Sequence, residues 1–185
     1  MFQQREITPE QYAAMEPDKV LRIMQIIASA LIAGVAMFAG VVSFLVFLMA
    51  PPAQPGGEQP APQNGGEVLA YLAMAFAGGA VVLSFAVPRL ISSTGVKSIA
   101  KMAQDGTSTK SKELFGRLLS VAQTKMIIAL AVIEGAAFFN LIAFLTTRSL
   151  ISPAVVGALL LVMAIHFPTK MKLARWLEDQ QRALS

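Results

Sequence analysis

The stretch TKMIIALAVIEGAAFFNLIAFLTT, residues 124–147, decides how this chain folds. A helix rises about 1.5 Å per residue, so around 20 apolar residues cross the ~30 Å hydrocarbon core of a bilayer. Residues 124–147 meet that length, carry no proline, and are apolar on every side rather than along one stripe, which excludes an ordinary surface helix. Two residues are out of place in so apolar a run: Glu134 and Asn140.

The same pattern recurs along the chain. Residues 23–50, 67–88 and 150–167 are further apolar stretches of spanning type,. Composition agrees: hydrophobic residues make up 55% and charged residues 14%, with a mean hydropathy of +0.61. A soluble domain clothes its surface with roughly a quarter charged residues, so lipid is part of this chain's solvent. The expected fold is all-α, a four-span transmembrane helical bundle with short amphipathic cytoplasmic helices. The apolar run of 23–50 is longer than the core of a signal peptide and no Ala-x-Ala site follows it, so it reads as a retained span.

Basic residues set the orientation. Of the 15 lysines and arginines, all but Arg148 fall before the first span, between the second and third or at the start of the third (Lys125), or after the fourth. The positive-inside rule then places both termini and the middle link in the cytoplasm of a bacterial-type inner membrane. The formal net charge of +4 is explained by this arrangement, and nucleic acid is not an expected partner,.

Between the spans, each segment has its own character. Residues 1–22 read as a cytoplasmic N-terminal helix, with Thr8-Pro9-Glu10-Gln11 as a capping box and Glu16-Pro17-Asp18 as a fresh helix start,. Residues 51–66 (PPAQPGGEQPAPQNGG) form an extracytoplasmic loop too rich in proline and glycine to bury apolar surface,. It is either a flexible connector or a partner-binding strand of polyproline type. Residues 89–123 form a basic helical link, broken at Asp105-Gly106-Thr107-Ser108-Thr109. Its second helix starts near Ser111, with Leu114, Phe115, Leu118 and Val121 as the apolar face. The link either lies on anionic lipid headgroups or stands as a solvated hairpin. Residues 168–185 form an interfacial tail. Tyr71 and Trp176 are the expected membrane-interface anchors,.

Glu134 is the expensive residue. It lies about 13 Å beyond Lys125, near the midplane, where a carboxylate costs about 2.5–3.5 kcal/mol on insertion scales. No lysine or arginine of another span sits at that depth. Three readings stay open: a protonated carboxyl bonded to a nearby backbone carbonyl or hydroxyl, a meeting with Glu134 of neighbouring copies, or a site for a transported proton or cation. Asn140 is turned about 120° from Glu134 on the helix and is expected to join this span to another.

Ala129-Leu130-Ala131-Val132-Ile133-Glu134-Gly135-Ala136 resembles the carboxylate-bearing helix of the c-type proteolipids of rotary ATP synthases. The small-residue run Ala73-Met74-Ala75-Phe76-Ala77-Gly78-Gly79-Ala80, followed by a polar link, is similar to the first helix of that hairpin. The resemblance implies that Glu134 carries a proton or sodium ion. It covers the second and third spans only. The first of these has no repeated Gly-x-Gly, and the link of residues 89–123 stands where that family has a tight polar turn.

Other chemistry is thinly represented. There are no cysteines and one histidine, His166, so thiolate and His-rich metal sites are not expected,. No nucleophile–base pair or phosphate-binding glycine loop occurs, and neither enzymatic activity nor a cofactor is expected. Small-xxx-small pairs (Ala30/Gly34, Ala36/Gly40, Ala75/Gly79, Ala131/Gly135) allow close helix approach within a subunit or between subunits,. The expected role is a non-enzymatic accessory or scaffold subunit of a membrane assembly. The alternative is a small proton- or cation-conducting oligomer that uses Glu134. Partners on either reading are the bilayer, further copies or other membrane subunits, and anionic headgroups at the basic link.

Overall fold

The computed structural model describes residues 14–48, 64–104 and 111–184. These residues form five helices: α1 (Pro17–Leu48), α2 (Asn64–Gln104), α3 (Ser111–Thr147), α4 (Ile151–Ile165) and α5 (Lys170–Leu184). The Thr8–Gln11 capping box, most of the proline-rich loop and Asp105–Lys110 lie outside the described residues.

Three helices are long and apolar enough to cross a membrane: α1, α2 over Val68–Lys101, and α3 over Lys112–Thr147. The fourth expected span is different. Helix α4 alone is 15 residues, and it passes the same test only together with α5, from which it is bent by 59°. Phe167, Pro168 and Thr169 make that break, since a proline disfavours helical geometry in the residue before it,.

Helix boundaries follow local chemistry. α1 begins at Pro17, where a missing N–H costs nothing, and carries Asp18 in its first turn, where a carboxylate suits the helix dipole,. α2 takes in Asn64, Gly65 and Gly66, which the sequence places in the loop, and runs unbroken through Pro88 to Gln104. The proline removes one i→i−4 hydrogen bond without ending the helix, a cost that packed apolar helices tolerate. α3 stops at Thr147 in an αL cap. Arg148 adopts φ 55° and returns its N–H to the Phe144 carbonyl at 2.8 Å,. The Ser149 N–H bonds Thr147 Oγ1 at 3.2 Å, and α4 starts at Ile151.

The helices divide into two compact units. One comprises Ser29–Ser84 and Leu130–His166. Its buried residues recur in steps of three and four: Ala70, Ala73, Ala77, Ala80 and Ser84 on α2; Ile133, Ala136, Asn140 and Ala143 on α3; Ser152, Val156, Leu159 and Met163 on α4. Such heptad spacing is the signature of helices packed at shallow crossing angles. Helices α2 and α3 run antiparallel. Gly66 faces Thr147, Ala73 meets Asn140, and Phe76 packs edge-on to Phe139 at 5.5 Å, so numbers rise on one helix as they fall on the other. Phe38 of α1 meets Phe138 of α3 in the same manner at 5.2 Å. Helix α3 is thus the hub, touching α1 through Phe138 and α2 through Phe139 and Asn140.

The other unit comprises the chain up to Ala28, Phe85–Ala129 and Phe167–Ser185. Here the end of α2 packs on the start of α3: Ile99, Leu118, Leu119 and Ala122 are buried, and Gly95 lies against Val121. The buried face of α3 is turned from the expected one, because Leu114, Phe115 and Val121 are only half-buried whereas Leu119 and Ala122 are enclosed. Helix α5 buries Leu173 and Leu177 in this unit. It is capped by Thr169, whose carbonyl accepts the Leu173 N–H at 3.1 Å. Gln25 Nε2 donates to the Pro168 carbonyl at 3.2 Å, and Lys170 pairs with Asp18 at 3.1 Å on the surface.

Candidate functional site: the Glu134 face of α3

One side of α3 is built for packing. Ile133, Ala136, Ala137, Asn140 and Ala143 are sealed against other helices of the unit. Alanines on α2 at Ala70, Ala73, Ala77 and Ala80 face this side, and such small side chains let two backbones approach closely,. That approach permits a hydrogen bond from the Asn140 side chain to the backbone of a neighbouring helix. Its Nδ2 donates to the Ala73 carbonyl at 3.0 Å and to the Ala136 carbonyl at 2.9 Å.

The amide orientation is forced, because the alternative would set Oδ1 against two carbonyl oxygens. With both Nδ2 protons used, Oδ1 is buried and has no hydrogen-bond partner. Asn140 therefore joins α3 to α2 and keeps one acceptor unfilled.

The opposite side of α3 is open over Ala131, Gly135 and Ile142, although Phe138 on the same side meets Phe38 of α1. Ala131 and Gly135 are exposed, a Cβ built on Gly135 would meet nothing within 4 Å, and Ile142 is 50% exposed. Glu134 is half-buried at the margin of this face, one helical turn from Phe138,. No hydrogen bond or ion pair among the described residues involves Glu134; those ion pairs are Glu16–Lys19, Glu113–Arg117 and Asp18–Lys170. Glu134 and Asn140 are therefore not brought together: one faces outward beside small residues and the other is locked inside.

The expected interface anchors differ from each other. Tyr71 is 64% exposed on α2. Trp176 is half-buried on α5, and the Lys125 ammonium sits 3.7 Å from its ring centroid. This cation–π contact ties α5 to α3 and gives Trp176 a partner that sequence spacing could not reveal.

Sequence reasoning also passed over Glu113. Glu113 is 7% exposed, and its carboxylate receives Arg117 Nε at 3.1 Å and Nη2 at 2.9 Å. The i, i+4 Glu–Arg spacing was the available signal. His166 caps α4, its Nδ1 lying 2.9 Å from the Val162 carbonyl.

Among the described residues, no three His, Asp or Glu side chains gather as a metal site would need,. The arrangement offers one chemical opportunity, a lone carboxyl on an open small-residue face of an apolar helix. Compared with known proteins, the chain matches no family model, no curated protein and no solved structure.

Proposed function

We propose that this chain is a non-enzymatic accessory or scaffold subunit of a membrane assembly, and that it docks through the Glu134 face of α3. The observation that carries the reading is the open carboxyl. Glu134 has no partner among the described residues of its own chain, and in hydrocarbon such a group is stable only against protein or enclosed water,. Ala131 and Gly135 beside it let another helix approach closely enough to supply a partner,.

The topology belongs to the same proposal: four spans, with both termini in the cytoplasm of a bacterial-type inner membrane. At about 1.5 Å per residue, α4 covers about 22 Å, short of the ~30 Å hydrocarbon core. Local thinning accommodates such a shortfall at modest cost. The Gln25–Pro168 contact supports a fourth crossing, because it joins the chain just after α4 to the early part of α1. Lys97 and Lys101 near the end of α2 and Lys112 at the start of α3 are exposed, where they suit anionic headgroups,.

The test is the size of the native complex. Full-length protein extracted into lipid nanodiscs should run as a larger species that Glu134→Leu reduces. An unchanged size would overturn the docking role. A second reading, proton or cation conduction by an oligomer, is favoured by the half-exposed, unpaired state of the same carboxyl. In a liposome flux assay it requires ion movement that Glu134→Gln abolishes and Glu134→Asp retains.

A further inference from the structure

The docking reading leaves the partner unnamed, and the geometry of Glu134 narrows it. A partner must present a hydrogen-bonding group at the depth of Glu134, inside a layer that disfavours such groups. A second copy of this chain does so automatically. Two copies inserted with the same topology are related by a twofold axis along the membrane normal, which sets Glu134 beside its own counterpart at equal depth. The carboxyl group is also self-complementary: its protonated form offers one O–H donor and one acceptor oxygen, so two such groups satisfy each other.

The face around Glu134 fits such a pair. Helix packing about a twofold requires the same surface from both chains, and it is closest where side chains are small. Ala131 and Gly135 lie one turn apart on the exposed side, and nothing stands within 4 Å of a Cβ at Gly135. The sealed side of α3 is not available for this purpose, being occupied by α2 through Asn140 and Ala73. Within residues 23–50, 67–88, 124–147 and 150–167 the one lysine or arginine is Lys125, about 13 Å along α3 from Glu134 and engaged by Trp176, so a second copy brings no cation to Glu134 instead,.

We propose that two copies of this chain pair α3 against α3 through Ala131, Glu134 and Gly135, with the two Glu134 carboxyl groups hydrogen-bonded to each other. The inference rests on the docking reading above and names its partner as the chain itself. Each Glu134 then gains the partner that its own chain does not supply.

The absence of cysteine makes the test direct. Single cysteines are placed at Ala131, Gly135, Val82 and Leu161 of the full-length protein, which is reconstituted in lipid vesicles at low density and oxidised. A disulfide needs Cα atoms within about 7 Å, so only faces in contact are trapped. Ala131→Cys and Gly135→Cys should give a disulfide-linked dimer, whereas Val82→Cys and Leu161→Cys, exposed on α2 and α4, should not. Adding Glu134→Leu to Ala131→Cys should lower the dimer yield about tenfold, the equilibrium equivalent of one intramembrane polar contact. Glu134→Gln should retain it, because a carboxamide also offers donor and acceptor.

Absence of dimer at both positions, or equal dimer at all four, overturns the pairing. If the dimer is absent while the native complex still shrinks in Glu134→Leu, the partner is a different chain and only the self-pairing falls. If the complex is also indifferent to Glu134, the docking reading falls with it.

Discussion

Asn140 donates its Nδ2 proton to the backbone carbonyl of Ala73, 3.0 Å away on α2, and both residues are fully buried. The bond depends on alanine at both helix surfaces, since a larger residue at position 73 would hold the helices too far apart. It is also incomplete, because Oδ1 has no partner. Asn140 therefore gains one interhelical hydrogen bond and bears the cost of one buried acceptor.

Replacing Asn140 separates these effects. Asn140→Leu, which keeps the branched shape and heavy-atom count of the amide, removes both the bond and the orphan oxygen and should change stability by less than about 1 kcal/mol. Asn140→Asp supplies an acceptor where Nδ2 donated, facing the Ala73 and Ala136 carbonyls, and should destabilise by more than Asn140→Leu. Unfolding in mixed detergent micelles ranks the two variants. Asn140→Asp matching the wild type would contradict the bonding geometry.

At Gly95, α2 lies close against Val121 of α3. A Cβ there would lie 2.9 Å from Val121 Cγ2 and 3.3 Å from Cγ1, and a β-branched valine cannot easily turn away,. Gly95→Ala should therefore destabilise by about 1–3 kcal/mol, although alanine is the better helix former. Val121→Ala should recover most of the loss in the double variant, as a coupling measurement would show.

The outlines of this fold were legible where local chemistry acts alone. Glu16-Pro17-Asp18 marked the start of α1. Residues 67–88 and 89–123 read as separate segments, whereas α2 runs unbroken through Pro88 to Gln104, because the proline's local penalty is outweighed by apolar sequence on both sides of it,. The partners of Asn140, Gly95 and Trp176 were illegible for one physical reason. Each contact depends on the register between two helices, and register is a property of the whole packed surface rather than of any residue near the contact. Glu134 was legible as the one acid in an apolar run, but not as an outward-facing one. That required knowing which side of α3 receives α2.

The proposed topology has its own check. A reporter fused after Ser185 should be active only as a cytoplasmic one, and a reporter inserted near Gln59 should be active only as an external one. Cytoplasmic activity at Gln59, or external activity after Ser185, would sink the four-span arrangement. A tail reporter on the outer side would instead mean three crossings, α1, α2 and α3.

Helix α5 is held by contacts of unequal strength. The Lys170–Asp18 pair is 80% and 82% exposed, so solvent and salt screen it and its loss should be nearly silent,. The Lys125 ammonium, 3.7 Å from the Trp176 ring centroid, lies in a half-buried setting where a cation–π contact is worth about 0.5–2 kcal/mol,. Trp176 is the only tryptophan in the chain, so its fluorescence reports on α5 alone. Lys125→Met keeps the apolar stem and removes the charge. It should make Trp176 more accessible to acrylamide quenching, whereas Lys125→Arg should preserve the wild-type response and Lys170→Ala should leave it unchanged. Equal quenching in Lys125→Met and wild type would mean that Leu173 and Leu177 hold α5 without help from the cation.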